Sequence, residues 1–395
     1  MGKKVFPLAT STWSVAEKAA AIRVIVSGQL TLGKNVSKFE KKFSQYIGAK
    51  WAIMVNSGSS ANLLAAAALK LKYKEAFEEK NEIIVPTVSW STTYFPWYQM
   101  GFKLRFVDIS AKDFNIDVDK LLPAISEKTF GICVVHLLGA PANMSTITKI
   151  VRDKDLVLIE DACESMGSTF KNRKVGTFGE VGTFSTFFSH HISTGEGGFV
   201  ITNDDEIAHY IISLRAHGWL RNLENHNLVS NKTGNAWLDN FRFYLPGYNL
   251  RPMEVQAAPG IVQLSKLDKF NALRIQNASY LQECIKDILW LNLQQPLEQS
   301  TWFAFGLLVN PNFGISREKL VHFLSKSGVE SRPVVTGNFT QNPVMKLMEV
   351  ANSGEKFSIA ENIDRNGLML GNHPYDLRKK IDKMVQLLKR FENQI

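Results

Sequence analysis

The sequence of 395 residues contains few cysteines. These are Cys133, Cys163 and Cys284, and no two lie close enough in sequence to form a Cys-x-x-Cys metal-binding pair. So sparse and odd a set is typical of a protein from a reducing compartment. One chain also lacks the four thiolates that ligate an ordinary all-cysteine iron–sulfur cluster. We therefore expect no iron–sulfur cluster in this protein.

Long hydrophobic runs and clustered charge are also absent. No run of about 18 apolar residues occurs, and Thr10, Ser11 and Thr12 interrupt the stretch that a signal peptide would need. The formal net charge is +9, but Lys and Arg are spread along the chain without a basic run that contains aromatic residues. We therefore expect a soluble cytoplasmic protein that binds neither membranes nor nucleic acid.

Apolar segments of strand length alternate with helical patterns over the first half of the chain. The expected strands are Trp51–Val55, Glu82–Pro86, Lys103–Asp108, Ile132–His136 and Leu156–Asp161. The expected helices cover residues 15–30, 38–46 and, after a turn at 56–62, the chain through 69. This alternation predicts an α/β fold in which helices cover both faces of a mostly parallel sheet.

The pattern changes near residues 246–251. A long helix is expected over about 254–273, and Pro259 is expected to kink or shorten it. Mixed strands and helices follow to the end of the chain. We therefore expect a large domain over residues 1–255 and a smaller C-terminal α+β domain over residues 256–395.

Two segments contain residues that suit a ligand site. The turn Asn-Ser-Gly-Ser-Ser-Ala-Asn at 56–62 opens a helix, whose N-terminal N–H groups can bind a phosphate, but a tight turn with an N-cap fits equally well. Asp161 ends an apolar strand, where open α/β sheets bind ligands. It is suited to pair with a pyridinium nitrogen or, alternatively, to cap the next helix.

A third segment, residues 182–198, passes from an apolar strand through His190 and His191 into a glycine-rich turn. The glycines permit positive φ angles and close backbone approach. No acidic or cysteine partner lies at a familiar ligand spacing, so metal binding is disfavoured. An imidazole moves protons near neutral pH, which makes these histidines candidates for acid–base chemistry.

Together these segments resemble the DegT-type sugar aminotransferase family. The motifs that carry the resemblance are Ser-Gly-Ser, Ser-Trp-Ser-Thr-Thr, Glu-Asp-x-x-Glu-Ser-x-Gly, Phe-Ser-x-x-x-Ser-His-His-Ile-x-x-x-Glu-Gly-Gly, Arg-Ala-His-Gly and Gly-Tyr-Asn-x-Arg. They extend the resemblance from about Pro7 to the C-terminus. It implies a fold-type-I, aspartate-aminotransferase-like protein that uses PLP or PMP and forms a homodimer with a shared active site.

One position departs from the aminotransferases of the family. They bind PLP covalently through a lysine, whereas the count back from Glu196 to that position reaches His190. No lysine occurs between Lys174 and Lys232. In this replacement of lysine by histidine, the chain resembles the sugar 3-dehydratase branch of the family. The resemblance implies that PMP is held without a covalent bond.

The resemblance also implies roles for the matching residues. The expected cofactor ligands are Gly58, Ser59, Ser185 and the partner subunit's Asn249 for the phosphate, Trp90 for the ring face, Asp161 for the ring nitrogen and Glu164 near the ring hydroxyl. Without the family, Ser185 would be read as a strand hydroxyl and Trp90 as a core aromatic. Candidate substrate contacts are Arg221, Glu330 and Arg332, with surface ion pairs as the alternative.

The implied reaction removes the C3 hydroxyl of a nucleotide-linked 4-keto-6-deoxyhexose, with GDP-4-keto-6-deoxy-D-mannose as the favoured substrate. The PMP amine condenses with the C4 ketone, His190 removes a proton from the PMP methylene carbon, and the C3 hydroxyl leaves. Hydrolysis gives a 4-keto-3,6-dideoxy sugar, and glutamate converts PLP back to PMP. His217 is a candidate to assist the leaving hydroxyl or bind substrate, or else only orients its neighbours.

Three alternatives fit the sequence less well. A dehydratase branch that acts on CDP-linked sugars carries a cysteine cluster and needs a reductase, and the scattered cysteines here do not supply that cluster. A conventional sugar aminotransferase requires a lysine at position 190. A non-catalytic protein with the same fold, such as a regulator, would have no reason to retain Asp161, Ser185 and Asn249.

The histidine at position 190 leads to a testable prediction. Borohydride should leave no PLP covalently attached to the chain, because histidine cannot form a Schiff base. The cofactor should also dialyse away more easily than from a lysine-bearing relative. Mass spectrometry of the active-site peptide checks this, and a phosphopyridoxyl-lysine in that peptide would contradict it.

Overall fold

The computed structural model describes residues 5–224 and 226–394. The α-helices are α1 (Val15–Ser27), α2 (Lys34–Ile47), α3 (Gly58–Lys72), α4 (Lys74–Glu79), α5 (Ser91–Gln99), α6 (Leu121–Ala124), α7 (Met144–Asp153), α8 (Asp205–Leu214), α9 (Ala236–Asp239), α10 (Glu254–Leu264), α11 (Leu267–Ile285), α12 (Arg317–Lys326), α13 (Ser358–Asn366) and α14 (Arg378–Glu392). Short 3₁₀ turns cover Val118–Lys120, Leu137–Gly139, Pro311–Phe313, Phe339–Gln341 and Pro343–Leu347. The strands are β1 (Trp51–Val55), β2 (Glu82–Pro86), β3 (Lys103–Val107), β4 (Thr129–Val135), β5 (Val157–Asp161), β6 (Thr169–Phe170), β7 (Arg173–Lys174), β8 (Val181–Ser185), β9 (Gly198–Thr202), β10 (Leu291–Leu293), β11 (Ala304–Val309), β12 (Ser331–Arg332) and β13 (Gly367–Gly371).

The larger sheet has the strand order β1-β9-β8-β5-β4-β2-β3. Strands β3, β2, β4, β5 and β8 run parallel to their neighbours, whereas β9 is antiparallel to both β8 and β1. The expected mostly parallel sheet is therefore confirmed. The register pairs Val135 with Asp161 and Asp161 with Thr183, so the carboxyl ends of three strands meet at one edge.

Helices cover both faces of this sheet because alternate side chains of a strand point to opposite faces. On one face, Ile53 and Val55 of β1 pack with side chains of α3 and α8. On the other face, Ala52 and Met54 of the same strand pack with α2 and α10. Near the other end of the sheet, Ile132 of β4 packs with side chains of α7. The core is thus continuous across the sheet, as expected for a buried parallel sheet.

A smaller antiparallel sheet has the order β10-β11-β13-β12 and packs with α11, α12 and α14. The expected long helix over 254–273 is instead two helices, which separate at residues 265 and 266. Pro259 lies inside α10 and does not end it. The division at 255/256 stays a prediction, and it falls in the first turn of α10, whose side chains pack with α1 and α2.

The carboxylate of Glu254 caps the N-terminus of α2 from a distant part of the chain. Gly33, the N-cap residue of α2, has no side chain to accept hydrogen bonds. Instead, Oε1 of Glu254 accepts from the N–H groups of Gly33 and Val36 at 2.9 and 2.8 Å. Its Oε2 accepts from the backbone and side-chain nitrogens of Asn35 at 2.9 and 2.7 Å. One buried carboxylate therefore fastens α2 to α10.

Replacing Glu254 with glutamine should destabilise the protein. The amide nitrogen of glutamine cannot accept a hydrogen bond, so donors at the start of α2 lose their partner at a cost of about 1–3 kcal/mol. Urea denaturation measures the change. The matched control is Glu283→Gln, whose exposed side chain pairs with Lys286, and it should change stability by less than about 0.5 kcal/mol. Equal effects of the two substitutions would contradict the assignment.

Candidate active site

A cavity of about 390 Å³ lies at the carboxyl ends of the parallel strands. It is lined by eight of the residues singled out from the sequence, namely Gly58, Ser59, Trp90, Asp161, Glu164, Ser185, His190 and Arg332. Open α/β sheets bind ligands at this edge because the loops that follow the strands converge there. The cavity is therefore the candidate active site.

One end of the cavity contains an arrangement suited to a phosphate. Helix α3 begins at Gly58, after the N-cap residue Ser57, so the first N–H groups of the helix lack helical partners. Ser185 lies directly against this turn, because a Cβ at position 58 would lie 2.7 Å from the Cβ of Ser185. Glycine thus allows a hydroxyl and a helix N-terminus to share one small space, where an anion is favoured. The N-cap interpretation of this turn is confirmed, since Ser57 accepts from the N–H of Ser60 at 3.1 Å, and the phosphate interpretation stays a prediction.

The carboxylate of Asp161 is buried in the cavity wall at the end of β5. Its Oδ2 accepts from Asn62 Nδ2 at 2.9 Å and from Thr93 Oγ1 at 2.7 Å. Its Oδ1 accepts from the N–H of Cys163 at 3.2 Å, so it stabilises a turn and does not cap a helix. The structure gives Asp161 no ion-pair partner among residues 5–224 and 226–394. A buried carboxylate with hydrogen bonds and no cation suits a protonated ring nitrogen.

Glu164 lies in the same wall, and its carboxyl group has a pKa close to physiological pH. Its Oε2 accepts from the backbone N–H of Leu138 at 3.0 Å. The pKa of Glu164 is raised to about 7, mainly by burial and to a smaller extent by the charge of Asp161, while the bond from Leu138 and the charge of Arg332 oppose the rise. Glu164 can therefore hold or release a proton beside a bound ring.

The structure distinguishes the two adjacent histidines. His190 lines the cavity, whereas His191 is fully buried and is absent from the lining. The His190 ring lies between the rings of Phe187 and Phe303, with centroid separations of 5.8 and 5.0 Å. Its Nδ1 is buried without a hydrogen-bond partner in the part of the chain that the structure describes. Nε2 is therefore the ring nitrogen available for proton transfer in the cavity.

Four candidate residues lie away from this cavity, namely Arg221, Glu330, His217 and Asn249. Glu330 contributes Oε2, which accepts from the N–H of Leu8 at 3.0 Å. Arg221 donates to the carbonyl of residue 240 and lies 3.9 Å above the Trp219 ring. These two contacts of Arg221 are not ion pairs. Arg332, in contrast, lines the cavity and donates from Nε to the sulfur of Met369 at 3.2 Å.

His217 and Asn249 lie outside the cavity, at the two ends of a segment rich in exposed aromatic residues. The backbone of His217 has a positive φ of 64°, and its ring lies 5.1 Å from that of Trp219. Asn249 is exposed, and its Oδ1 accepts from Arg251 at 2.9 Å. Neither residue reaches the cavity of its own chain.

Sequence reasoning missed the residues that hold Asp161. Asn62 and Thr93 occur inside the quoted motifs, but no role was assigned to them. Asn62 is itself oriented by Thr183, whose Oγ1 donates to Asn62 Oδ1 at 2.5 Å. The only available signal was their position near the start of helices that follow strands, which is too general to identify a contact. Trp90 is about half exposed, so it is not the core aromatic of the alternative interpretation.

The geometry agrees with a comparison against protein families. Residues 13–389 match the model of the DegT/DnrJ/EryC1/StrS aminotransferase family. The chain belongs to this family. Its PLP or PMP fits the cavity, because the anion site at Gly58 and Ser185 and the uncompensated carboxylate of Asp161 lie in one cavity with the free face of Trp90.

Individual proteins resemble the chain over nearly its full length. GDP-4-keto-6-deoxy-D-mannose 3-dehydratase of Yersinia pseudotuberculosis is 47% identical over 387 residues, which cover 98% of each chain. A solved structure of GDP-4-keto-6-deoxymannose-3-dehydratase with a trapped PLP-glutamate geminal diamine is 44% identical, with a TM-score of 0.94. A mutant of that enzyme with bound GDP-perosamine gives the same identity and TM-score. Each alignment with these structures covers 97% of this chain and 100% of the other.

The described residues contain neither a membrane-spanning helix nor a cluster of metal-binding side chains. Among residues 5–224 and 226–394, no helix has the length and apolar character needed to cross a membrane. Within the same residues, no group of three or more His, Cys, Asp or Glu side chains is arranged to hold a metal ion.

The environment of His190 leads to a prediction about its protonation. Burial, together with the charges of Arg332 and Arg274, lowers the pKa of its imidazole to about 3. In the cofactor-free protein, the ¹⁵N shifts of the His190 ring should therefore show a neutral imidazole from about pH 5 to pH 8. Because the folded pKa lies below that of the unfolded chain, this residue reduces stability as the pH falls below about 6.5. A titration midpoint near 6.5 in the folded protein would contradict the prediction.

Proposed function

We propose that this protein is a PMP-dependent 3-dehydratase of nucleotide-linked 4-keto-6-deoxyhexoses, with GDP-4-keto-6-deoxy-D-mannose as substrate. The observation that carries the proposal is the position of His190. A neutral imidazole lines the cofactor cavity at the sequence position where the aminotransferases of the family have their lysine. A base that cannot bind the cofactor covalently favours elimination over transamination. The 3-dehydratase name of the Yersinia relative supports the same reaction.

The bound groups in the solved relatives support the partners of this reaction. One related structure holds GDP-perosamine, a nucleotide sugar, and the other holds an adduct of PLP with glutamate. We therefore propose a GDP-linked keto sugar as substrate and glutamate as the amino donor that restores PMP. Both would use the same cavity in turn, since the cofactor must meet each of them.

The residues of the cavity divide the work of the reaction. The helix N-terminus at Gly58 and Ser59, with the hydroxyl of Ser185, would hold the phosphate. Trp90 would cover one face of the ring, and Asp161 would keep the ring nitrogen protonated. PMP supplies the primary amine for the sugar ketone and a ring that takes up electrons.

His190 then has one chemical task, which is to accept and return a proton at Nε2. Its low pKa keeps it in the free-base form before the reaction. The dianionic phosphate and the charge that develops during the reaction would raise its basicity when it is needed. Glu164, near neutrality in the cofactor-free protein, would hold a proton next to the ring hydroxyl. Arg332 would attract an anionic group of the sugar or of glutamate.

We also propose a homodimer in which the partner subunit's Asn249 completes the phosphate site. Exposed aromatic side chains cluster near Asn249, and they include Phe241 and Phe243, which are 64% and 62% exposed. Patches of this kind are typical of protein interfaces. His217 and Arg221 belong to the same surface and would face the partner's cavity as substrate contacts. A monomer in sedimentation velocity at micromolar concentration would contradict the dimer.

We place the enzyme in the cytoplasm, where its three free cysteines would remain reduced. The keto sugar and glutamate are both small soluble metabolites, which fits this location. Fractionation of cells that produce the native protein tests it.

The function is tested by incubating the protein with PMP, glutamate and GDP-4-keto-6-deoxy-D-mannose, in EDTA and without a reductase. A parallel assay contains CDP-4-keto-6-deoxy-glucose. We expect a GDP-linked 4-keto-3,6-dideoxy sugar and no product from the CDP sugar. An amino sugar as the main product would identify an aminotransferase instead. A requirement for metal or for a reductase would favour the iron–sulfur branch.

Substitutions at His190 should separate elimination from transamination. His190→Asn should still bind PMP and sugar but lose about 10²–10⁴-fold in 3-deoxygenation, the usual contribution of a general base. His190→Lys should attach PLP covalently, with a matching change in absorbance, and should shift the product toward amino sugar. Single-turnover assays and absorbance spectra measure both effects.

The matched control is His191→Asn. His191 is the next residue, but it is fully buried and is absent from the cavity lining, so its substitution should affect turnover far less. If His191→Asn abolished dehydration while His190→Asn left it intact, the assignment of the base would be wrong.

A further inference from the structure

The imidazole of His190 is oriented by packing. Its Nδ1 is buried and has no hydrogen-bond partner among the described residues, so no carboxylate or carbonyl fixes the direction of the ring there. Catalytic histidines are commonly oriented by such a bond at the nitrogen that does not react. Here Phe187 and Phe303 lie beside the ring instead, with interplanar angles of 83° and 54°. Of the two, Phe187 is 40% exposed and Phe303 is 6% exposed.

Phe303 is held rigidly by its own backbone. Its N–H donates to the carbonyl of Leu138 at 2.9 Å, and its carbonyl accepts from Nη1 of the buried Arg274 at 3.0 Å. Arg274 also donates to the carbonyl of Asn372, which ties the same point to the smaller sheet. These hydrogen bonds fix the backbone from which the Phe303 ring extends toward the imidazole.

The backbone of Leu138 forms hydrogen bonds with both Phe303 and Glu164. Leu138 donates its N–H to Oε2 of Glu164, and its carbonyl accepts from Phe303. Leu138 has a φ of 55°, which a leucine adopts only when its surroundings impose it. Strain of this kind is found where a backbone has to be placed accurately. One strained residue thus links the carboxyl group beside the cofactor to the ring beside His190.

We propose that Phe303 is a positioning residue for the proton transfer of His190, because its ring is the rigid surface against which the imidazole is aligned. The proposal rests on the proposed function, in which His190 is the base. It predicts that the catalytic orientation depends on an aromatic ring at 303, and that loss of the ring lowers the rate of proton transfer while cofactor and sugar still bind.

The test compares Phe303→Leu, which removes the ring, with Phe303→Tyr, which retains it. We expect Phe303→Leu to lower kcat about 10-fold to 100-fold, because small misplacements of a reacting group have effects of that order. The KM for the keto sugar and the Kd for PMP should change less than about twofold, since Phe303 does not line the cavity. Phe303→Tyr should retain most of kcat. Phe303→Met provides a second variant without a ring if the leucine variant does not fold.

The matched control is Phe305→Leu. Phe305 lies two residues further along the same chain segment, is fully buried and belongs to the core of the smaller sheet. The substitution removes the same kind of phenyl ring and perturbs the packing of β11, which begins directly after Phe303, but Phe305 has no ring contact with His190 among the described residues. It should leave kcat within about twofold of the wild type.

A second measurement separates this proposal from the proposed function. In the cofactor-free protein, the ¹⁵N and ¹³C resonances of the His190 ring should shift or broaden in Phe303→Leu and should stay unchanged in Phe305→Leu. A wild-type protein that removes no C3 hydroxyl would refute the proposed function, while these spectra would still test the positioning. Unchanged His190 resonances in Phe303→Leu, an unchanged kcat, or equal losses of kcat in Phe303→Leu and Phe305→Leu would each overturn the positioning role.

Discussion

The buried carboxylate of Asp161 is the constraint on which the site depends. It lies where the register of the parallel strands brings β4, β5 and β8 together, and its hydrogen bonds reach α3 through Asn62 and α5 through Thr93. Thr183 of β8 holds Asn62 in the orientation that donates to the carboxylate. A negative charge removed from water without a cation is costly, so these donors stabilise it only in part. In the proposed function, a positively charged cofactor ring completes the electrostatics of this site.

The same electrostatic argument accounts for the neighbouring groups. Asp161, Glu164 and Glu196 contribute carboxyl groups to the lining, and Arg332 is its one Arg or Lys side chain among the described residues. Burial, with a smaller contribution from the charge of Asp161, raises the pKa of Glu164 to about 7. Where a lysine stands in the aminotransferases, this chain has an imidazole that burial keeps uncharged. In the proposed function, the cofactor is therefore held by the residues around Gly58 and Ser185 and by Asp161, and His190 transfers a proton without binding the cofactor covalently.

Local patterns predicted much of the fold, and the reasons for the failures are physical. Strands β1 and β2 have the predicted bounds, because buried parallel strands are short, continuous apolar runs between turns. The prediction of one helix over 254–273 was wrong, because the chain breaks at residues 265 and 266, between α10 and α11, while Pro259 is accommodated within α10. The domain division at 255/256 stays a prediction.

The candidate site divides in the same way. Motif order located most of the residues that line the cavity, since they end or follow strands at the same edge of the larger sheet, whereas Arg332 lies in β12 of the smaller sheet. It could not reveal that Asn62 and Thr93 hold Asp161, because such contacts join elements that are distant in sequence. His217 and Asn249 lie away from the cavity of their own chain, and a single chain gives no contact from which to deduce their partners.

The antiparallel strand β9 has a consequence for how the protein folds as it is synthesised. It lies between β8 and β1, and it pairs Val55 and Ser185 with the same residue, Gly198. Until the ribosome has released residues 198–202, β1 has no neighbour in the sheet, and the helix that follows it cannot be brought against Ser185. A pairing that spans about 150 residues is slow to form, because a long loop must close before any contact is gained. The turn at Gly58 and Ser185 is therefore completed only after about half of the chain has been made, and a nascent chain that stalls before this point exposes the edge of an unfinished sheet.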